Sequence, residues 1–468
     1  MTRRVAIVGG GISGLSAAYD LARAGIRPVL YEREPRLGGV IRTERLDGCV
    51  LEAGPDSFLA AKPQALELIR ELGLGGEVIA SNDHLRVTYV VRNGRLVPLP
   101  DGLMLMVPTR IWPLVATGLL SWPTKVRMGL EWLRRPGGAP PPDRSVAAFI
   151  REHYGQEAVD YLAEPLLAGV YGGDPNLLSV ASVLSRFVEL EAAYGSLTRG
   201  VLSERKKARR AGQPQPLFQT LRGGLGQMVE AIGGVIGDSC EVRHSEVERL
   251  ESAPPGFRLS ARDGSLYAEH VVLACPAYEA ARLLSGIDAE LARLLSGVPY
   301  SSSLTLALVY DRRQLGHPLN GFGFLVPKRE RKSLVACTWV GTKFPHRAPE
   351  NRAVLRCFLG GMDHSVLEQD DTALIESVRG ELRHLMGVTA EPLFTRISRW
   401  PRSMAQYTVG HGARVAAIEA AAGRIPGLHL AGNAYTGIGI SDCIRMGRQA
   451  ARRIAGAMAG TARPGGAS

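Results

Sequence analysis

Arg3-Arg4-Val5-Ala6-Ile7-Val8-Gly9-Gly10-Gly11-Ile12-Ser13-Gly14, residues 3–14, passes from an apolar run into a glycine-rich turn. The apolar half predicts a short strand, and the helix-forming residues from Leu15 to Ala24 predict a helix behind the turn. Residues 28–32, PVLYE, read as a second strand, so the opening is a βαβ unit and the start of a doubly wound parallel sheet. In the GxGxxG spacing Gly9 permits the turn, Gly11 lets the backbone approach a pyrophosphate, and Gly14 lets helix and strand pack closely. Gly10, Ile12 and Ser13 complete a helix start whose free N–H groups face phosphate charge. Glu32 ends the second strand 18 residues after Gly14, where a carboxylate accepts the ribose hydroxyls of an adenosine and repels a 2′-phosphate. These residues point to a dinucleotide site that disfavours NADP.

The rest of the chain bounds what surrounds that site. With 468 residues, 45% hydrophobic and 22% charged, the composition is that of a folded protein of two or three domains and excludes a fibrous repeat or wholesale disorder. The net charge of +11 favours anionic partners, acidic lipid or a carboxylate-bearing substrate among them, or serves solubility alone. The basic cluster Glu204–Arg210, ERKKARR, has no interleaved aromatic residues and reads as a solvated helix face, so no nucleic-acid partner is expected. The six cysteines are scattered without CxxC spacing, which argues against zinc or a disulfide framework and for a reducing compartment. The opening MTRRVAIVGGG has no apolar signal core, so a cytoplasmic protein is expected.

Between Leu96 and Arg135 the chain is rich in Leu, Met, Val and Trp and ends on basic residues. Its longest uncharged window, Ile111 to Thr124, holds 14 residues and two prolines, too few for the ~20 a spanning helix needs. Two readings remain: a buried helical subdomain, or contact of Trp112, Trp122 and Trp132 with a membrane surface. The Pro- and Gly-dense stretch 136–145 reads as loop, helical patterns resume from Val146 to about Arg210, and strands dominate beyond Gln215.

After Glu32 comes REPRLGGVIR, residues 33–42, a basic residue followed by the pair Gly38-Gly39. It resembles the second fingerprint of the flavin amine oxidase superfamily. The closing segment LHLAGNAYTGIGISDCIRMGRQAA, residues 428–451, is similar to that superfamily's C-terminus. Within it the chain resembles the protoporphyrinogen oxidase family, on LEAGPDSF (51–58), LAGVYGGDP (167–175), GFGFLVP (321–327), FPHRAP (344–349), Trp400-Pro401 and Gln406-Tyr407.

The resemblance implies an α/β fold: an FAD-binding, Rossmann-like doubly wound domain, a mixed-sheet substrate domain and a helical, membrane-associating subdomain. The FAD domain is expected at 1–84, 216–284 and 404–468, the substrate domain at 85–98 and 285–403, and the helical domain at 99–215. FAD contacts implied are Gly9 to Gly14, Glu32, Arg33, Gly39, Val40, Gly54, Pro55, Asp56, Ser57, Val247 beside the adenine, Trp400, and Ile438, Gly439 and Ile440. The substrate would lie against Asp56, Gly169, Leu325, Thr338 and Phe358. The chain departs from the family in having Asp56 where Asn or Arg is usual, and Thr88 where an Arg pairs with a substrate propionate. Period-two alternation places Arg86 and Arg92 on the face of Thr88, which offers both as replacement anchors.

The activity implied is the oxygen-dependent, six-electron oxidation of protoporphyrinogen IX to protoporphyrin IX in haem biosynthesis, by hydride transfer to FAD with release of hydrogen peroxide. No residue is identified as the proton acceptor. Coproporphyrinogen III is the nearest alternative substrate, one that would want more basic groups in the cavity; an amine oxidase, a carotenoid desaturase or a non-catalytic carrier stand further off. The expected ranking has protoporphyrinogen reducing the flavin at least as fast as coproporphyrinogen. Expected partners are the porphyrinogen, O2, a peripheral membrane contact, and a second copy or the next haem-pathway enzyme.

Overall fold

Val5–Val8 occupies the centre of a five-stranded parallel sheet in the computed structural model, which describes residues 4–136, 142–211, 216–362 and 364–460. The strand order is Glu241–Arg243, Val29–Tyr31, Val5–Val8, His270–Leu273 and Leu428–Leu430. These strands are short and almost wholly apolar because both sheet faces are covered, as parallel sheets require. The helix Ile12–Arg23 crosses from the first strand to the second, with Leu15, Ala17, Ala18 and Leu21 buried. Together with the C-terminal helix Ile440–Gly460, it packs in the core beneath the sheet. Leu291, Leu295 and Val298 join the same core. The helix Ala289–Ser296, beyond the boundary expected between residues 284 and 285, buries its apolar face against the parallel sheet's core.

The second sheet has seven strands in the order Phe394–Ala405, Tyr300–Asp311, Arg352–Gly361, Ala336–Trp339, Gly323–Leu325, Thr88–Arg92 and Arg95–Pro98. It is mixed: every pairing is antiparallel except Gly323–Leu325 against Thr88–Val90. Alternation sorts its side chains. Leu304, Leu306, Leu308, Leu355, Cys357 and Leu359 pack toward Leu374, Val378 and Leu382 of the helix Asp371–Met386. Thr305, Arg356 and Phe358 point to the opposite face, which walls a cavity.

Helices between residues 111 and 211 form a third layer with its own core, including Phe149, Ile150, Tyr154, Leu162, Leu190 and Val201. The Leu96–Arg135 stretch divides between the two expected readings. Leu114, Leu119, Leu120 and Met128 are buried in this core, whereas Ile111 (82%) and Trp112 (77%) stand in solvent with Trp122, Trp132 and Leu133. Among the described residues no helix is long and apolar enough to cross a membrane. Of the basic cluster, Glu204 pairs with Arg186 and Lys207, as a solvated helix face does, and Arg205 donates to Thr109 Oγ1. The side chains of its last three residues, and residues 137–141 of the 136–145 loop, lie outside the described residues.

Candidate functional site

A cavity of about 2330 Å³ runs between the parallel sheet, the mixed sheet and the helical layer. That is more than twice the ~300–1,000 Å³ of an ordinary ligand pocket, so it has room for two molecules end to end. One end is built from backbone. Gly9 turns the chain with φ 110°, and a Cβ on Gly14 would lie 1.9 Å from the Gly9 carbonyl oxygen, so only glycine lets strand and helix approach this closely. A Cβ on Gly11 would meet nothing within 4 Å and would project into open space at the helix N-terminus, where no side chain caps the first N–H groups. Such a cradle, with Arg36 and Arg42 also in the lining, fits the pyrophosphate of the expected FAD.

Of the expected contacts, Gly14, packed against Gly9, does not line the cavity, and neither does Gly10. Its N–H donates instead to Glu32 Oε2 at 2.8 Å, while Glu34 N–H donates to Oε1 at 2.9 Å. Gly10 is thus a positioning residue for Glu32, and a Cβ there would press on the Glu32 side chain and Leu37. Glu32, Arg33 and Val247 line the far end, where an adenosine would sit. Gly39, Val40, Gly54, Pro55, Asp56, Ser57, Trp400, Ile438, Gly439 and Ile440 line the middle with Ile12 and Ser13. Trp400 Nε1 and Thr305 Oγ1 both donate to the Ala53 carbonyl, at 2.8 and 2.7 Å, which pins the 53–57 segment to the mixed sheet. Tyr407 Oη donates to Asn433 O at 2.9 Å and accepts from Gly437 N–H at 2.8 Å, fixing the loop that leads to the C-terminal helix. That helix start is suited to the negative charge of a reduced flavin.

At the other end the walls are Leu167, Gly169, Val170, Leu325, Thr338 and Phe358, with Thr88 at the edge. The two arginines offered as anchors are not there. Arg92 is committed to Glu157 at 2.8 Å and to the Leu119 carbonyl, with its guanidinium over the Tyr161 ring. Arg86 precedes the strand, which begins only at Thr88 after the turn Asp83–Leu85, so alternation does not reach it and its side chain is exposed outside the lining.

The cations present come from elsewhere. Lys343 Nζ lies 2.9 Å from Asp56 Oδ2 and 3.1 Å from Oδ1, and Arg356 Nη1 stands 3.8 Å from Oδ2. Burial by itself would push the Asp56 carboxyl up, but Lys343, Arg356 and the Ser57 hydroxyl together hold it well below the usual carboxylate range. Asp56 is therefore an ion-paired anion, which removes the difficulty of a bare carboxylate facing a carboxylate-bearing substrate. Lys328, Arg331 and Lys332 line the opposite wall. Burial raises the pKa of Glu164 against the pull of Arg331, 2.8 Å away. Lys343 escapes sequence reasoning although it directly precedes FPHRAP, because nothing in a single lysine announces a partner 287 residues away.

A family model described as flavin containing amine oxidoreductase matches residues 12–455. The chain is 34% identical to a coproporphyrinogen III oxidase of Bacillus subtilis over 464 residues, covering 96% of this chain and 97% of the relative. It is 29% identical to the chloroplastic protoporphyrinogen oxidase 1 of Arabidopsis thaliana, covering 95% and 86%. A solved structure from Exiguobacterium sp. 255-15, described as a candidate protoporphyrinogen oxidase, superposes with a TM-score of 0.87 at 31% identity over 97% of this chain and 99% of that one.

Proposed function

The chain belongs to the family of flavin-containing amine oxidoreductases, as an FAD-dependent enzyme of its porphyrinogen oxidase branch, and on that premise we propose that it oxidises coproporphyrinogen III to coproporphyrin III. The observation that carries this reading is the charge of the substrate end. Lys328, Arg331, Lys332, Lys343 and Arg356 line it, and although Asp174, Glu164 and Asp56 pair with four of them, an excess of cations suited to a flat macrocycle that bears four carboxylates remains. Relatives named coproporphyrinogen III oxidase at 30% to 34% identity support the same choice. Protoporphyrinogen IX, with two carboxylates, is the second reading, favoured by the apolar walls at Leu325 and Phe358 and by plant relatives at 28% to 30% identity.

The oxidation removes six electrons and six protons and leaves a conjugated ring. FAD held by the Gly9–Gly11 turn, Trp400 and the Ile438–Ile440 segment would supply a two-electron acceptor that O2 can reoxidise, with hydrogen peroxide as the product. The residues of the chain hold the macrocycle flat between Leu325, Phe358 and the helix Glu164–Tyr171, and their apolar surfaces exclude water from the reacting carbons. The exposed Ile111, Trp112, Trp122 and Leu133, with the half-exposed Leu105 and Val170 at the cavity rim, support peripheral contact of the helical face with lipid. Free thiols at all six cysteines accord with a cytoplasmic home.

Anaerobic mixing of the flavin-loaded protein with each porphyrinogen tests the substrate. Coproporphyrinogen is expected to bleach the flavin faster. Faster bleaching by protoporphyrinogen returns the substrate to the second reading, and bleaching by neither removes both.

A further inference from the structure

Five ionised side chains meet where the 51–58 segment passes under the mixed sheet, and their charges do not cancel. Glu52 and Arg347 form one buried pair at 2.9 Å, with Arg347 Nη2 also donating to Thr220 Oγ1 at 2.6 Å. Asp56 is shared by Lys343 and Arg356. Three cations against two anions leave one positive charge in a region where Lys343 is 11% and Arg356 4% exposed. Buried charge of that kind carries a desolvation penalty that only pairing and hydrogen bonding offset. The surplus is only partly served by neighbours: Arg356 Nη2 donates to the Gly54 carbonyl, but its Nε is buried without a partner, and its guanidinium rests on the Phe358 ring at 4.6 Å.

Both cations face the cavity. Lys343 is held at the end of the turn Val340–Lys343, its carbonyl accepting from Asn82 N–H at 3.0 Å. Its ammonium lies 4.8 Å from the Phe218 ring and 5.2 Å from the Phe344 ring, so its position is set by packing as well as by charge. Arg356 shares its strand face with Phe358, on the wall assigned to the macrocycle.

We propose that Lys343, backed by Arg356 and tempered by Asp56, is the carboxylate anchor of the substrate end and takes the role that Thr88 cannot. The inference rests on the porphyrinogen reading above and names the residues that would make it selective. A propionate entering beside Lys343 neutralises the surplus charge and completes two cation–anion pairs. Asp56 sets the strength of the site by offsetting one of the two cations, so that a carboxylate is held firmly enough to orient and loosely enough to leave.

Equilibrium titration of the flavin-loaded protein with coproporphyrin III and with its tetramethyl ester tests this, read by porphyrin absorbance. Lys343→Met is expected to weaken binding of the acid about tenfold, the scale of one lost charge-assisted contact, and to leave the ester unchanged. Lys343→Arg is expected to keep most of the affinity for the acid. Asp56→Asn should act in the opposite direction and tighten the acid several-fold, since it frees a second cation. General damage to the site would weaken binding in both variants, so a loss in Asp56→Asn overturns the proposal, as does equal loss of acid and ester in Lys343→Met. A shift of the flavin midpoint potential in Lys343→Met with porphyrin affinity intact overturns it too, by assigning the charge to the flavin. Wild-type protein that binds coproporphyrin III and protoporphyrin IX while Lys343→Met loses nothing overturns the anchor alone; wild-type protein that binds neither overturns the substrate reading with it.

Discussion

The two ends of the cavity are made of different materials. At the nucleotide end, recognition comes from main-chain atoms and absent side chains within one βαβ unit: the turn at Gly9, the open cradle at Gly11, the close packing at Gly14, and Glu32 held by two N–H groups. At the proposed substrate end it would come from side chains that the fold gathers from distant segments, Asp56, Leu325, Lys343 and Phe358 among them. A backbone site depends on where atoms are and tolerates no added volume. A side-chain site depends on the sum of charges and tolerates exchange of residues, which is how, on our proposal, this chain would dispense with an arginine at Thr88.

The largest effect that would break this comparison belongs to the glycines. Gly14→Val would drive a side chain into the Gly9 carbonyl, so loss of both fold and flavin is expected, with overpacking of about 3 kcal/mol or more seen as a depressed Tm. Gly11→Ala meets no atom, so its flavin-free stability should stay within about 0.5 kcal/mol of the parent while flavin affinity falls about tenfold. Equal thermal destabilisation of the two variants would show that the turn is merely tight and that Gly11 cradles nothing.

A smaller effect separates the two regions by pH. Burial, reinforced by His270 and Arg453, pushes the His429 imidazole of the parallel sheet down to about 4. The folded sheet keeps this ring neutral where an unfolded chain would protonate it at about 6.5. Its contribution is therefore fully present above pH 6.5 and is lost as the pH falls from there toward 4, on the order of 2–3 kcal/mol in all. His429→Phe should flatten that part of the acid unfolding curve. An unchanged acid limb would move the sensitivity to another group. Asp56, by contrast, stays ionised throughout this window, so its pairing with Lys343 and Arg356 should not respond to it.

The smallest effect on stability sharpens the comparison at the helical face. Trp112→Ser and Ile111→Ser remove exposed apolar surface, so unfolding should shift by no more than about 0.5 kcal/mol. Co-sedimentation with vesicles containing acidic lipid should nevertheless fall several-fold. Sedimentation unchanged in the double variant would remove lipid as the partner of this face.

The same contrast explains what could be read in advance. The strand–turn–helix at Val5–Arg23, the acid ending the second strand and the glycine loop before the C-terminal helix all carry local signatures, because backbone conformation and apolar period are written in neighbouring residues. The placement of Gly10 behind Glu32 was less legible, since Gly10 fills a variable position of the spacing, which does not say whether it faces a ligand or a neighbouring side chain. Of the anchors expected at Arg86 and Arg92, the first lies before the strand, which starts at Thr88, so alternation does not reach it, and the second is drawn off by Glu157, 65 residues away.

By itself, then, the order of residues determined a dinucleotide-binding sheet, its cofactor end and the family to which the chain belongs. Only the tertiary structure decided the electrostatics of the other end: Asp56 ionised between Lys343 and Arg356, and one cation left over. The reason is physical. A turn or a helix start is settled over a few residues of chain, whereas the charge a cavity presents depends on which distant side chains meet where water has been excluded.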